Sequence, residues 1–156
     1  MPPSPFLSVE ATLSHWQAHR RLTRRVIETF PEDKLFTFSV GGMRSFGEMC
    51  NEFLAMTIPM TEGTVTETWG PYAAGKAATK AALLAAWDTD TDKLNALWPK
   101  IPAEHFQDTI TAFGSYTGKL HDLFLYVIDN EIHHRGQGYV YLRALGVEPP
   151  AFYDRS

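Results

Sequence analysis

The stretch "DNEIHHRGQG", residues 129–138, decides how the rest of the chain folds. It follows "LFLYVI" and precedes "YVYLRAL", so a strongly polar decapeptide interrupts an apolar run. Leu120, Leu123 and Val127 lead at helical steps into Asn130, His134 and Gln137, and the same stripe continues through Tyr141 and Leu145. Steps of three and four keep these positions on one side of a helix. The three polar residues therefore take places that the stripe otherwise gives to leucine and valine. Left unpaired in a core, such groups cost about 2 kcal/mol or more each. They must satisfy one another, meet polar partners on a facing helix, or hold an ion. Gly136 and Gly138 each weaken a helix by about 0.5–1 kcal/mol relative to alanine. Close helix packing and room for a ligand beside His134 both account for that cost, and they are compatible.

Outward from this stretch, the last helix is expected from about residue 118 to 145, ending at Gly146 with "EPP" beyond it. The first begins after Ser8, carries Val9, Leu13, Trp16, Leu22, Val26, Ile27 and Phe30 at helical spacing, and stops at Pro31. "SFGE", residues 45–48, has the Ser-x-x-Glu form of a capping box and opens a second helix. Its stripe runs through Phe46, Met49, Phe53, Met56 and Met60, and Pro59 is expected to kink or end it. Residues 63–76, "GTVTETWGPYAAGK", mix Gly, Pro and β-branched residues and read as a long crossover connection. A third helix occupies residues 77–98, in one piece or in two according to whether residues 88–92 break it, and "PKIP" ends it. "HFQDTITAFGSYTGK" reads as a loop with a short extended piece at residues 109–113. The expected architecture is an all-α four-helix bundle with long crossover connections, one domain over residues 1–156.

Composition narrows the function classes. The 156 residues are 44% hydrophobic and 21% charged, which suits one globular core and argues against disorder. A net charge of -4 denies the chain the broad basic face that phosphate-backbone binding needs, so nucleic acid is not an expected partner. The one basic cluster, "HRRLTRR" at residues 19–25, reads as a solvated helix face beside Glu10 and Glu28. Cys50 is the single cysteine, which allows no intrachain disulfide and suits a reducing compartment. The N-terminal residues lack a basic start followed by an apolar run, and no segment approaches the roughly 18 apolar residues of a membrane span. A soluble cytoplasmic protein without a membrane partner is the expectation.

"NEIHHRGQGYVYLRALGVEPP" resembles the C-terminal signature of the DinB/YfiT-like family, in which a His-x-x-x-His pair leads into Arg-Gly-Gln and then Leu-Arg-x-Leu-Gly before prolines. "GGMRSFGEMCNEFLAM" resembles that family's second-helix opening. The resemblance implies a four-helix bundle, commonly homodimeric, holding a divalent metal with one histidine from the second helix and two from the fourth. It also implies kinship with thiol-cofactor-dependent S-transferases and isomerases and with metal-dependent hydrolases. Carried over residue by residue, the ligand positions fall on Glu52, Asn130 and His134, so two of the histidines are replaced. His133 lies about 100° around the helix from His134 and is not counted as a ligand.

A carboxylate, an amide oxygen and an imidazole can still hold an ion. Exchanging imidazoles for oxygens shifts preference towards Mn²⁺, Mg²⁺ or Fe²⁺, with Ni²⁺ and Zn²⁺ the remaining candidates. Gln137 would then orient the imidazole or a bound water from behind. The metal-free alternative pairs Glu52 with His134 and leaves Asn130 and Gln137 to complete the hydrogen bonds. His19, three residues after Trp16, is a further candidate nitrogen, although a partly exposed position is expected for it, and His15, His105 and His121 are expected at the surface or in loops. Trp69, Tyr72, Tyr139 and Tyr141 are candidates either for a pocket wall or for core and dimer contacts. Three functions remain open. The first is a metal-dependent transferase of the thiol S-transferase type, or a hydrolase, acting on a small molecule with a low-molecular-weight thiol as cofactor. The second is a metal-free, non-catalytic small-ligand-binding or dimeric interaction protein of the same fold. The third is a metal-free acid–base enzyme using Glu52 and His134.

Overall fold

The computed structural model describes residues 6–73 and 75–156. Four helices carry the fold: α1 (Val9–Thr29), α2 (Phe46–Thr66), α3 (Lys80–Leu97) and α4 (Leu120–Ala144). Ser8 caps α1 by accepting from the Ala11 N–H at 3.1 Å, and the Ser45–Glu48 capping box opens α2 as expected. Gly146, at φ +74°, closes α4 in the left-handed conformation that ends a helix cheaply only with glycine. The principal packed pairs are α2 with α3 and α4, and α1 with α3 and α4. Consecutive helices α1 and α2 thus lie across the bundle from each other, which is the crossover arrangement that the long connections allow.

Two aromatic clusters fill the interior. One surrounds Phe30, Phe46, Phe53 and Trp87, with the Phe30 and Phe46 rings stacked at 4.9 Å. The other centres on Trp98, whose ring meets Phe124 at 4.8 Å, Phe106 at 5.2 Å and Trp16 at 5.7 Å. Asn51 ties the connection before α3 to α2, donating to the Ala77 carbonyl at 2.8 Å and accepting from the Ala77 N–H at 3.0 Å.

Three local expectations change, and one open alternative is decided. Pro59 neither ends nor breaks α2, which continues to Thr66, because Ile58 and Met60 are buried on either side of the missing hydrogen bond and hold the helix in place. The connection to α3 is accordingly shorter and begins at Glu67. The acidic stretch at residues 88–92 leaves α3 in one piece, anchored by buried Trp87 before it and Leu94 after it. The segment expected as a loop with one extended piece forms an antiparallel hairpin, β1 (Thr109–Ala112) and β2 (Tyr116–Lys119), which pairs Thr109 with Lys119 and Ala112 with Tyr116.

The buried face of α4 is also rotated from the expected stripe. Its buried positions are Leu120, Phe124, Val127, Ile128, Glu131, Arg135, Gly138, Tyr141 and Leu142, while Leu123, Asn130, His134 and Gln137 lie half-buried along the edge of that face. The two glycines separate cleanly. A Cβ on Gly138 would stand 2.7 Å from the Phe46 ring, so close helix packing explains it, whereas Gly136 faces open space. Phe46 is fully buried against Phe30 and cannot give way. Gly138→Ala should therefore lower stability by about 1–3 kcal/mol through overpacking. Gly136→Ala should leave stability unchanged or raise it by up to about 1 kcal/mol. Urea unfolding of both variants checks the contrast, and equal effects would refute the packing account.

Candidate functional site

Glu52, Asn130 and His134 meet between α2 and α4. Glu52 stands one turn beyond the capping box, and Asn130 and His134 project from successive turns of α4. The Asn130 amide donates from Nδ2 to Glu52 Oε1 at 3.0 Å and lies 3.5 Å from Met56 Sδ. His134 Nε2 is 3.4 Å from the same carboxylate oxygen. On its other side, His134 Nδ1 meets Gln137 Oε1, an acceptor that places the ring proton on Nδ1. The Gln137 amide thus hydrogen-bonds the imidazole, and its Nε2 also reaches Met43 Sδ at 3.3 Å.

A fourth residue, which the sequence reading did not single out, completes the arrangement. Arg44 donates from Nη1 to Glu52 Oε2, and its Nη2 lies 3.4 Å from His134 Nε2. The arginine is held from both directions. Its carbonyl accepts from the Tyr141 hydroxyl at 2.8 Å, and the capping box begins at the next residue. Burial alone would raise the Glu52 carboxyl, but the hydrogen bonds from Arg44 and Asn130 outweigh it and hold the carboxyl below its usual range. Residence beside Arg44 keeps Glu52 ionised.

These positions can be tested for the divalent ion that the family resemblance implies. An ion would draw lone pairs of Glu52 and His134 towards one point, and the Arg44 guanidinium already does so, one N–H group to each. Asn130 turns its NH₂ rather than its oxygen to the site, since a carboxylate accepts and does not donate. Among the described residues no group of three His, Cys, Asp or Glu gathers in a metal-holding cluster. The donor set does not fit a divalent ion, and a guanidinium supplies the compensating charge.

Beside the polar group a cavity of about 850 Å³ opens between α2, α4 and the β1–β2 hairpin, with Glu52 in its wall. Met56, Met60, Leu123 and Val127 form its apolar lining, and Tyr72, Phe113, Tyr116 and Tyr126 contribute rings. Phe113 reaches it from the hairpin turn at φ +54°, an uncommon conformation for a bulky residue, followed by Gly114 at φ +66°. Its ring meets Tyr72 edge-on at 6.4 Å. Of the aromatic residues flagged from sequence, only Tyr72 lines this cavity. Trp69 and Tyr139 pack against the core, and Tyr141 is fully buried within it.

The DinB family model matches residues 6–156. The chain is also similar to the crystal structure of a DinB-like protein from Bacillus subtilis, at 22% identity and a TM-score of 0.74, over 92% of this chain and 98% of that one. A DinB-like protein from Bacillus cereus ATCC 10987 is similar at 16% identity and a TM-score of 0.74, over 96% of this chain and 100% of that one. No curated protein matches.

A second polar network lies deeper, about 100° around α4 from the first. Glu131 is buried on the side facing α1, where it accepts from the Thr23 hydroxyl at 2.5 Å. Burial pushes its carboxyl up against the pull of Arg20, Thr23 and Arg135. Arg135 donates to the His19 carbonyl at 3.0 Å and to His19 Nδ1 at 2.9 Å. Arg20, 1% exposed, lies 4.2 Å above the Trp87 ring and donates to the Trp87 carbonyl. Two expectations are corrected here. The basic cluster is not simply a solvated face, because Arg20 turns inward and compensates Glu131 while His19 turns inward to accept from Arg135, and His19 is buried rather than partly exposed. It serves Arg135 and Arg155, not Glu52.

Burial first, and then the positive charge of Arg135 with His15 and Arg155, lowers His19 from 6.5 to about 4. The unfolded chain therefore takes up this proton first as pH falls. Stability that is complete above pH 6.5 should decline between 6.5 and about 4 and then level off with respect to this group. His19→Gln should flatten that part of the curve, measured as the urea midpoint against pH, and an unchanged slope would show that His19 does not contribute.

Proposed function

The chain belongs to the DinB family, and from that footing we propose that it binds a small organic ligand in the cavity beside Glu52 without using a divalent ion. The observation that carries this reading is Arg44, whose guanidinium compensates Glu52 and faces the free nitrogen of His134. Ion-dependent transfer or hydrolysis would need those lone pairs for the metal. Metal-free acid–base catalysis is also poorly served, because a carboxylate paired with arginine and held below its usual range is a weak base at neutral pH. A low-molecular-weight thiol would bring a thiolate next to a carboxylate, with no cationic side chain among the described residues of the cavity wall to stabilise it.

What supports ligand binding is the form of the cavity. Its volume, about 850 Å³, falls in the range of small-molecule sites, and its wall combines apolar side chains with a few polar groups. Methionines Met56 and Met60 add adaptable surface. The polar group behind the cavity then serves to hold the Glu52 carboxylate in one orientation, with Gln137 fixing His134 and Tyr141 fixing Arg44.

Titration with the neutral fluorophore N-phenyl-1-naphthylamine tests the reading. Saturable binding should persist in chelator, remain unchanged on addition of Mn²⁺ or Zn²⁺, and weaken about ten-fold or more in Leu123→Trp, which fills the cavity from its half-buried wall. Failure of the wild-type protein to bind, or binding only with an added ion, would contradict the proposal.

A further inference from the structure

The cavity wall carries charge of one sign. Glu52 and Asp122 are its carboxylates, and among the described residues no lysine, arginine or histidine lines it. Arg44 meets Glu52 from outside the lining. The carboxylate has capacity left over, since Oε2 is engaged by Arg44 and Oε1 by Asn130, while a carboxylate offers about four lone-pair sites. Its side chain is 22% exposed, against 66% for Asp122 at the rim, so Glu52 is the better-desolvated acceptor.

The rings add to this polarity. Tyr72, Phe113, Tyr116 and Tyr126 converge on the same space, and aromatic faces carry negative electrostatic potential. Tyr72 is close enough to Glu52, Tyr116 and Tyr126 for their charges to disfavour its phenolate, after burial itself. An anionic ligand would meet two carboxylates and four aromatic rings, with no cationic side chain among the described lining residues. A neutral apolar ligand would leave the remaining Glu52 lone pairs facing hydrocarbon. A cation satisfies both features, provided that it carries an apolar body to cover the methionines, Leu123 and Val127.

We propose that the cavity selects an organic ammonium ion with an aromatic or alkyl body, its nitrogen set among the Tyr72, Phe113 and Tyr126 rings and directed at Glu52. The proposal rests on the reading of this cavity as a ligand site and adds the chemical class of the ligand.

Three probes of one shape separate the alternatives: 4-phenylbutylammonium, 4-phenylbutanol and 4-phenylbutanoate, compared by isothermal titration at neutral pH. The ammonium compound should bind about ten-fold more tightly than the alcohol, and the carboxylate least of all. That preference should shrink in Tyr72→Leu, at a half-exposed position where folding is little affected, and in Glu52→Gln. An alcohol that binds as tightly as the ammonium, or a carboxylate that binds more tightly, would overturn the charge preference while leaving ligand binding in place. Binding of the neutral fluorophore without binding of any of the three would likewise overturn this inference alone. No binding of fluorophore or probes would overturn both.

Discussion

A carboxylate placed between two helices must find a positive partner, and much of the arrangement around Glu52 follows from that requirement. Glu52 faces α4 at a height where its neighbours are Met56 and Phe53, a position that an uncompensated charge could not occupy. Arg44 supplies the partner from the segment just before α2, and the capping box one residue later fixes where that segment enters the helix. The Tyr141 hydroxyl holds the same segment against α4. One local motif, Arg-Ser-x-x-Glu, therefore both starts a helix and delivers a cation to its second turn. The guanidinium presents rigid N–H groups and keeps its charge at any working pH, which makes it a durable substitute for an ion.

The same rule operates on the adjacent, more deeply buried face of α4. Glu131 is more deeply buried than Glu52, and its compensation is correspondingly broader, drawing on Thr23, Arg20 and Arg135. The two networks divide the helix by face. One serves the packing of α1 against α4, with no opening to the cavity, and the other lies at the cavity wall. Replacing a single partner in the inner network would strand a buried charge, so its residues act together as a structural unit.

The helices and the Ser45–Glu48 box were legible because each rests on local signals: periodicity, caps and breakers. The hairpin was only half legible, since its first strand alternates two threonines with an isoleucine, while "YTGK" ends in a glycine and a lysine and is held as a strand by pairing with the segment just before it. Glu52, Asn130, His134 and the orienting role of Gln137 could be found from spacing. Arg44 could not, because it lies outside the helix and its reach across to His134 is a property of the assembled bundle. Glu131 and Arg135 were missed for a different reason. A helix rotated by one residue shows two adjacent stripes of similar quality, and charge argued for the wrong one; only knowledge that Arg20 and Thr23 arrive from α1 makes a buried Glu131 reasonable. The signal that could have found it is Arg20, which stands four residues after Trp16 on the stripe that α1 buries.

The account turns on Arg44 standing in the place of an ion, and equilibrium metal analysis of the intact protein tests it most directly. After incubation with Mn²⁺, Fe²⁺, Ni²⁺ or Zn²⁺ and removal of excess, the wild-type chain should retain no stoichiometric metal. Arg44→Ala should take up more of at least one of these ions, because it frees the Glu52 and His134 lone pairs. A stoichiometric ion in the wild-type protein, lost on His134→Ala, would contradict the account and return the site to metal chemistry.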